Sequence, residues 1–176
     1  MTAVNRIYGL GTFLESLESG EHFDGPTSNH RLDPRERVCA LVPPKAANFR
    51  DFLEPGIGPL VVEIIDSWQC TTYTSCEGHP GPVPAPATVG ILPLDDRQLT
   101  DLSRCADLLQ RAVAEKVNAA VAFRAGRTIA ETAVGPVPVV ELNFHPSGDW
   151  PSYFAELPGA IESVLMALRA RQWVVR

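Results

Sequence analysis

Apolar residues recur at helical spacing in three stretches of the chain. The first stretch predicts one apolar helix face, made by Leu60, Val61, Ile64, Ile65 and Trp68. The second follows the capping residues Asp95 and Asp96 and predicts a helix of about five turns, whose buried face is Leu99, Leu102, Cys105 or Ala106, Leu109 and Val113. The third stretch has Asp149 as an N-cap, Pro151 in the first turn and an interruption at Pro158 and Gly159. After the interruption, the last helix face is made by Ile161, Val164, Leu165 and Leu168.

Stretches of β-branched, aromatic or alternating residues separate these helices and predict strands. The predicted strands are 70–76, 88–92, 118–124, 128–133 and 137–145, with a turn at Gly126 and Arg127. The order of elements indicates an α/β protein of the α+β kind. We expect a single mixed β-sheet packed by helices largely on one face.

The first third of the chain has a less regular pattern. Leu10, Phe13, Leu14 and Leu17 have helical spacing, and Asp33 with Pro34 resembles a helix start. Pro and Gly break up the rest, apart from a possible short helix at 48–53. We therefore divide the chain into an irregular N-terminal arm or lid, residues 1–56, and a core domain, residues 57–176.

Composition restricts the partners more than it identifies the function. The 176 residues carry a net charge of −6, from 15 basic and 21 acidic side chains, and the basic residues are scattered. Nucleic-acid binding is disfavoured because it depends on clustered positive charge. No apolar run approaches the ~20 residues of a membrane span, and the N-terminus lacks the pattern of a signal peptide. We expect a cytoplasmic protein with reduced cysteines and a small-molecule ligand, of unknown oligomeric state.

The densest chemistry lies at the end of the strand 70–76. Cys76, Glu77 and His79 follow one another closely, and Gly78, Pro80 and Gly81 force a turn there. Ends of strands are common places for binding groups in α/β sheets. The sequence therefore predicts a strand-end site containing Cys76 and His79, with Ser75, Glu77 and Gly78 as ligand-binding residues.

A second polar group follows the strand 137–145. Glu141, Asn143 and His145 alternate along it and project from one face, which must be solvated or line a pocket. If this strand neighboured and ran parallel to 70–76, His145 and Glu141 would join Cys76 and His79 as catalytic residues. Asn143 and Arg124 are predicted ligand-binding residues, and Arg124, like Arg127, could bind an anionic ligand.

Three interpretations of these residues remain open. Cys76 could be a nucleophile or acid/base group, with an imidazole and a carboxylate to orient it. Alternatively, Cys76, His79 and His145, together with a carboxylate, could hold zinc or iron with one position open, although a lone Cys-x-x-His pair is weak evidence. In the third interpretation the cysteine is a small buried residue, the histidine belongs to a turn, and the protein is a non-catalytic binding or partner module.

The run from Gly58 to His79, with Thr74-Ser75-Cys76-Glu77-Gly78-His79 at its end, resembles a helix–strand element of the tRNA methyltransferases of wybutosine synthesis. It also resembles elements of small uncharacterised bacterial proteins. The resemblance implies an α/β sandwich with the Ser-Cys-x-Gly loop at the site, and S-adenosylmethionine as a possible ligand. This chain has His79 where that family has Arg. We use the resemblance to locate the site, and expect a small bacterial enzyme acting on a small molecule.

Overall fold

The computed structural model describes residues 6–7, 49–113, 117–132 and 135–173. The elements in chain order are β1 (Arg6–Ile7), a 3₁₀ helix (Phe49–Phe52), α1 (Gly58–Trp68), β2 (Thr71–Cys76), β3 (Ala87–Leu92), α2 (Asp96–Val113), β4 (Val121–Thr132), β5 (Gly135–Pro146) and α3 (Trp150–Arg169). The helix expected over 10–17, and most of the arm proposed for residues 1–56, lie outside the described residues.

The fold is the α+β sheet that the sequence predicts. The strand order is β1-β4-β5-β3-β2, with antiparallel pairing throughout except for the two-residue β1, which runs parallel to β4. All three helices contribute to one hydrophobic cluster with alternate residues of β3, β4 and β5, so they cover the same face of the sheet. We call the other side the open face, meaning only that these three helices do not cover it. No helix among the described residues is long and apolar enough to cross a membrane.

The predicted apolar helix faces are buried, except that Ile65 on α1 is only partly buried. α1 buries Leu60, Val61, Ile64 and Trp68, and α2 buries all the residues of its predicted face. Asp149 is the N-cap of α3, and its Oδ1 accepts a hydrogen bond from the Ser152 backbone N–H at 2.9 Å. The predicted interruption at Pro158 and Gly159 was wrong. The helix continues through both residues because they are exposed, and the buried stripe resumes directly at Ala160.

The predicted turn at Gly126 and Arg127 was also wrong. β4 passes straight through both residues and stays in register with β5, where Gly126 lies opposite Glu141. Gly78 is the single described glycine with a positive φ, so Gly126 adopts no left-handed conformation of the kind a tight hairpin turn needs. Pairing with the long antiparallel strand β5 keeps Gly126 and Arg127 in an extended conformation.

A β-bulge in β2 brings Tyr73 onto the open face. The register shifts between Thr72 and Thr74, so both Tyr73 and Thr74 lie opposite Gly90. A Cβ on Gly90 would lie only 2.5 Å from the Tyr73 ring, so glycine is needed for this close approach. The ring crosses β3, and its hydroxyl donates to Glu141 Oε1 on β5 at 2.6 Å. Strict alternation along a strand predicts that Tyr73 and Thr74 project from opposite faces of the sheet. The bulge is the reason that they do not.

Candidate functional site

The loop before α1 meets the end of β2 through two reciprocal hydrogen bonds. The Glu77 backbone N–H donates to Glu54 Oε2 at 2.7 Å. In return, the Gly56 backbone N–H donates to Glu77 Oε2 at 2.6 Å. Each glutamate therefore uses its carboxylate to hold the other's segment. This pairing brings Glu54, a residue the sequence analysis did not select, to the predicted strand-end site.

The turn after β2 is fixed on both sides of its glycine. His79 and Ala85 exchange two backbone hydrogen bonds of 3.0 Å and form an isolated β-bridge. Gly78 has a φ of 83°, and a Cβ there would meet Ala87 and Leu157 within 3.2 Å. A side chain at this position would thus be strained and crowded. The turn places His79 Nε2 2.9 Å from Glu54 Oε1.

Cys76 completes a cluster of three side chains that we call the EHC cluster: Glu54, His79 and Cys76. One ligand-type atom from each lies within 4.8 Å of the others. The Cys76 sulfur accepts a hydrogen bond from the Gly78 backbone N–H at 3.4 Å. Burial raises the pKa of the Cys76 thiol, and the nearby Glu54 and Glu77 charges add to this, whereas the Gly78 N–H opposes it. The Cys76 side chain is therefore a protonated thiol at neutral pH.

A hydrogen-bonded network occupies the middle of the open face. The Glu141 carboxylate accepts from the Tyr73 hydroxyl and, at 3.2 Å, from Asn143 Nδ2. The Thr88 hydroxyl donates to Asn143 Oδ1 at 2.7 Å. These bonds orient two of the predicted site residues, Glu141 and Asn143, at a distance from the loop that carries Cys76.

His145 and Arg124 lie next to this network. Arg124 pairs with Asn143 in the ladder, and His145 follows Asn143 by two residues on the same face. Burial and the Arg124 charge lower the pKa of His145, and the Glu141 charge opposes them. Arg127 is three residues from Arg124 along one continuous strand, so it projects from the other face. The two arginines do not form one site.

The structure places the two predicted halves of the site at the same end of the sheet but not in contact. β3 lies between β2 and β5, so these strands are not neighbours. Both are antiparallel to β3 and hence run in the same direction. Two strand spacings separate Cys76 from Asn143, about 10 Å between Cα atoms, and His145 lies a further two residues along. Neither Glu141 nor His145 belongs to the EHC cluster.

The remaining predicted ligand-binding residues differ in access. Ser75 is only 1% exposed, and its hydroxyl has no hydrogen-bond partner among the described residues. It lies in register with Val89, on the face that the helices cover. Glu77 and Gly78 act through the loop itself, the first by holding Gly56 and the second by bonding the Cys76 sulfur.

Sequence signals for the site were uneven. Cys76, Glu77 and His79 stand out because they are adjacent, whereas Glu54 is one of many acidic residues in the chain. Only the packing of α1 against β2 brings it close. No family model, no curated protein and no solved structure matches the chain.

Proposed function

We propose that the EHC cluster binds one zinc ion and that the protein is a metal-dependent hydrolase of a small molecule. The observation that carries this proposal is the approach of a carboxylate oxygen, an imidazole nitrogen and a sulfur to within 4.8 Å of one another. Zinc prefers nitrogen and sulfur ligands with carboxylate as a third type. Bond lengths of 2.0–2.3 Å put the donors of a tetrahedral site about 3.5 Å apart, so small side-chain movements suffice.

The charges of the cluster match a divalent cation. One thiolate and one carboxylate would neutralise Zn²⁺, with His79 as a neutral third ligand. Glu77 adds a second carboxylate beside Cys76, and its charge disfavours the bare thiolate. A cation at this place would relieve that repulsion and displace the thiol proton.

Backbone contacts hold Glu54 and His79 in place without using the atoms that would bind zinc. Glu54 Oε2 is occupied by the Glu77 N–H, which leaves Oε1 directed at His79. The β-bridge to Ala85 fixes the His79 backbone. Ordered outer contacts of this kind orient ligands and tune a bound metal.

Three protein ligands leave one coordination position for water or substrate. Zinc lowers the pKa of a bound water to about 7, which makes hydroxide available for hydrolysis near neutral pH. The polar residues of the open face begin about one strand away with the half-buried Thr88 and end at the exposed Arg124 and His145, and they offer a surface for a small substrate. Hydrolysis is the chemistry that this ligand set favours most directly.

The cysteine-nucleophile interpretation has less support. A nucleophilic cysteine needs a lowered pKa, and burial and two carboxylates act in the opposite direction on Cys76. His79 Nε2 is engaged by Glu54. The S-adenosylmethionine-dependent and non-catalytic alternatives stay predictions.

Zinc titration of the purified full-length chain by calorimetry, with Co²⁺ absorption as a second readout, tests the proposal. We expect one ion per chain and a thiolate-to-cobalt charge-transfer band. Cys76→Ser, His79→Gln and Glu54→Gln should each weaken zinc binding by at least about tenfold, the lower end for loss of a partner in a metal site. His145→Gln is the matched control and should bind zinc like the wild type.

A hydrolytic role is tested with the zinc-loaded protein on a panel of small chromogenic esters, amides and phosphoesters. Turnover that depends on zinc and is lost in His79→Gln supports the role. The proposal is wrong if zinc does not bind, or if the three cluster variants bind it like His145→Gln. Zinc binding without turnover of any panel member would reject hydrolysis of these substrate classes and leave a metal-binding module.

A further inference from the structure

A row of polar side chains leads across the sheet from the EHC cluster. In the strand registers Cys76 pairs with Thr88, Thr88 with Asn143, and Asn143 with Arg124. Directly paired residues of antiparallel strands lie on the same face. The Thr88 to Asn143 hydrogen bond of 2.7 Å confirms this for the middle of the row. We call these four residues the polar row.

The far end of the polar row carries an exposed cation, Arg124. Arg124 is exposed, and it makes no hydrogen bond or ion pair with any residue in the described part of the chain. Its neighbour Asn143 uses Oδ1 for Thr88 and one Nδ2 hydrogen for Glu141. An amide nitrogen carries two hydrogens, so the second is available to donate. An exposed guanidinium and a partly buried amide N–H thus belong to directly paired residues on the same face.

We propose that Arg124 and Asn143 bind a carboxylate of the substrate while the reacting group of the same molecule reaches the metal at Cys76. This inference rests on the proposed zinc site for the position of the reacting group. Three strand spacings, about 14 Å between Cα atoms, separate the two ends of the row. The Arg124 side chain is long enough to extend over Asn143. A small extended molecule could therefore lie above Thr88 and span the remaining distance to Cys76.

The surroundings favour a carboxylate over a more highly charged anion. Arg124 supplies a single positive charge, and the pKa of neighbouring His145 is lowered, so that imidazole adds little charge at neutral pH. Glu141 lies two residues from Asn143 on the same face, and its negative charge would repel a more highly charged anion. A singly charged, planar group also matches the geometry of a guanidinium beside an amide.

Calorimetry on the zinc-loaded chain with succinate, glutarate, adipate and pimelate tests the inference, with the monocarboxylate of equal chain length as the control for each. We expect at least one dicarboxylate to bind about tenfold or more tightly than its monocarboxylate, which corresponds to the ~1.4 kcal/mol of one added contact to a charged group. Arg124→Gln should abolish that preference. Arg127→Gln is the matched control, since it removes an exposed arginine from the opposite face of the same strand, and should preserve it.

The outcomes separate this inference from the proposed function. Equal binding of every dicarboxylate and its monocarboxylate, or an equal loss in Arg127→Gln, overturns the inference while zinc binding stands. If the chain binds no zinc, the proposed function fails. The same titrations on the metal-free chain then decide: an Arg124-dependent affinity for any of these carboxylates supports a carboxylate site at Arg124 and Asn143, and its absence rejects that site too.

Discussion

At the scale of single residues, the environment of Cys76 is the most informative. A half-buried sulfur with two carboxylates nearby is disfavoured as a thiolate, yet it lies beside an imidazole that could share a cation with it. Its two described companions, Cys70 and Cys105, are both buried, and burial raises the pKa of Cys105 to about 11. Cys76 is therefore the described cysteine best placed for solvent chemistry.

Alkylation should report the charge of Glu54. In the metal-free protein we expect Cys76 to react with iodoacetamide more slowly than free cysteine at pH 7, because its pKa is raised. Glu54→Gln removes one negative charge, so the midpoint of the pH–rate curve should fall by a few tenths to about one pH unit. Mass spectrometry of the peptide containing Cys76 measures the rate. Glu141→Gln should leave the midpoint unchanged, and a rise in Glu54→Gln would contradict the assigned environment.

The residues of the site were only partly predictable from the sequence. Cys76 and His79 are found by their proximity along the chain, but Glu54 comes close only through tertiary packing. Glu141, Asn143 and His145 share a face as alternation requires, because local period does not depend on the fold. Their distance from Cys76 depends on strand order, and nothing in the sequence shows that β3 inserts between β2 and β5.

At the scale of elements, α3 connects the helical layer to the end of the sheet that carries the site. The buried Tyr153 hydroxyl accepts from the Ala87 N–H and donates to the Phe144 carbonyl, both at 2.8 Å, and so joins β3 and β5. Burial raises the pKa of Tyr153 to about 12, so it stays protonated and able to donate. The same helix supplies Leu157, against which Gly78 packs.

Pro158 is a weak point of α3 that can be tested directly. It cannot donate a hydrogen bond within the helix, and it is exposed. We expect Pro158→Ala to raise the free energy of unfolding by ~1–3 kcal/mol, because the missing hydrogen bond is restored and the ring is removed. Urea denaturation followed by circular dichroism measures the change.

Gly159→Ala is the comparison for that variant. Apart from its chain neighbours and the backbone of its own helix, no atom of the described residues lies within 4 Å of the Cβ that it would add. Its gain should therefore be only about 0.5–1 kcal/mol, from backbone entropy alone. If Pro158→Ala destabilises the protein instead, the proline is needed for the packing of α3 against the sheet.

The elements themselves were more predictable than their ends. Amphipathic spacing identified all three helices, because their buried faces follow the helical period in uninterrupted stripes. The two errors, at Gly126 and at Pro158, share one cause. A glycine or proline signals a break only where the surrounding structure leaves the chain free to turn, and here a paired strand and a buried stripe override it.

At the scale of the whole molecule, one face of the sheet supplies stability and the other supplies polar chemistry. The helices bury the main cluster on the first face. On the open face Tyr73, Leu92, Ala130 and Val139 form a second, smaller cluster beside the polar row. The polar row thereby lies apart from the main packing that supports the fold.

Zinc should stabilise the folded chain as a whole. A ligand that binds only the native state adds RT ln(1 + [L]/Kd), so free zinc at about 100 times its Kd should add ~2.7 kcal/mol to the free energy of unfolding. Thermal and urea unfolding with and without zinc measure this gain. His145→Gln should show it in full, and Cys76→Ser should lose most of it. A gain of similar size in both variants would place the ion elsewhere.

The position of Glu54 ahead of α1, with Cys76 and His79 behind β2, has a consequence for the life of the protein. An ion bound by these residues would cross-link the two ends of the α1–β2 segment and close it into a loop. Neither α1 nor β2 could then unfold without first releasing the ion. Scarcity of the metal would then cost more than activity: it would expose this segment to proteases and shorten the survival of each copy.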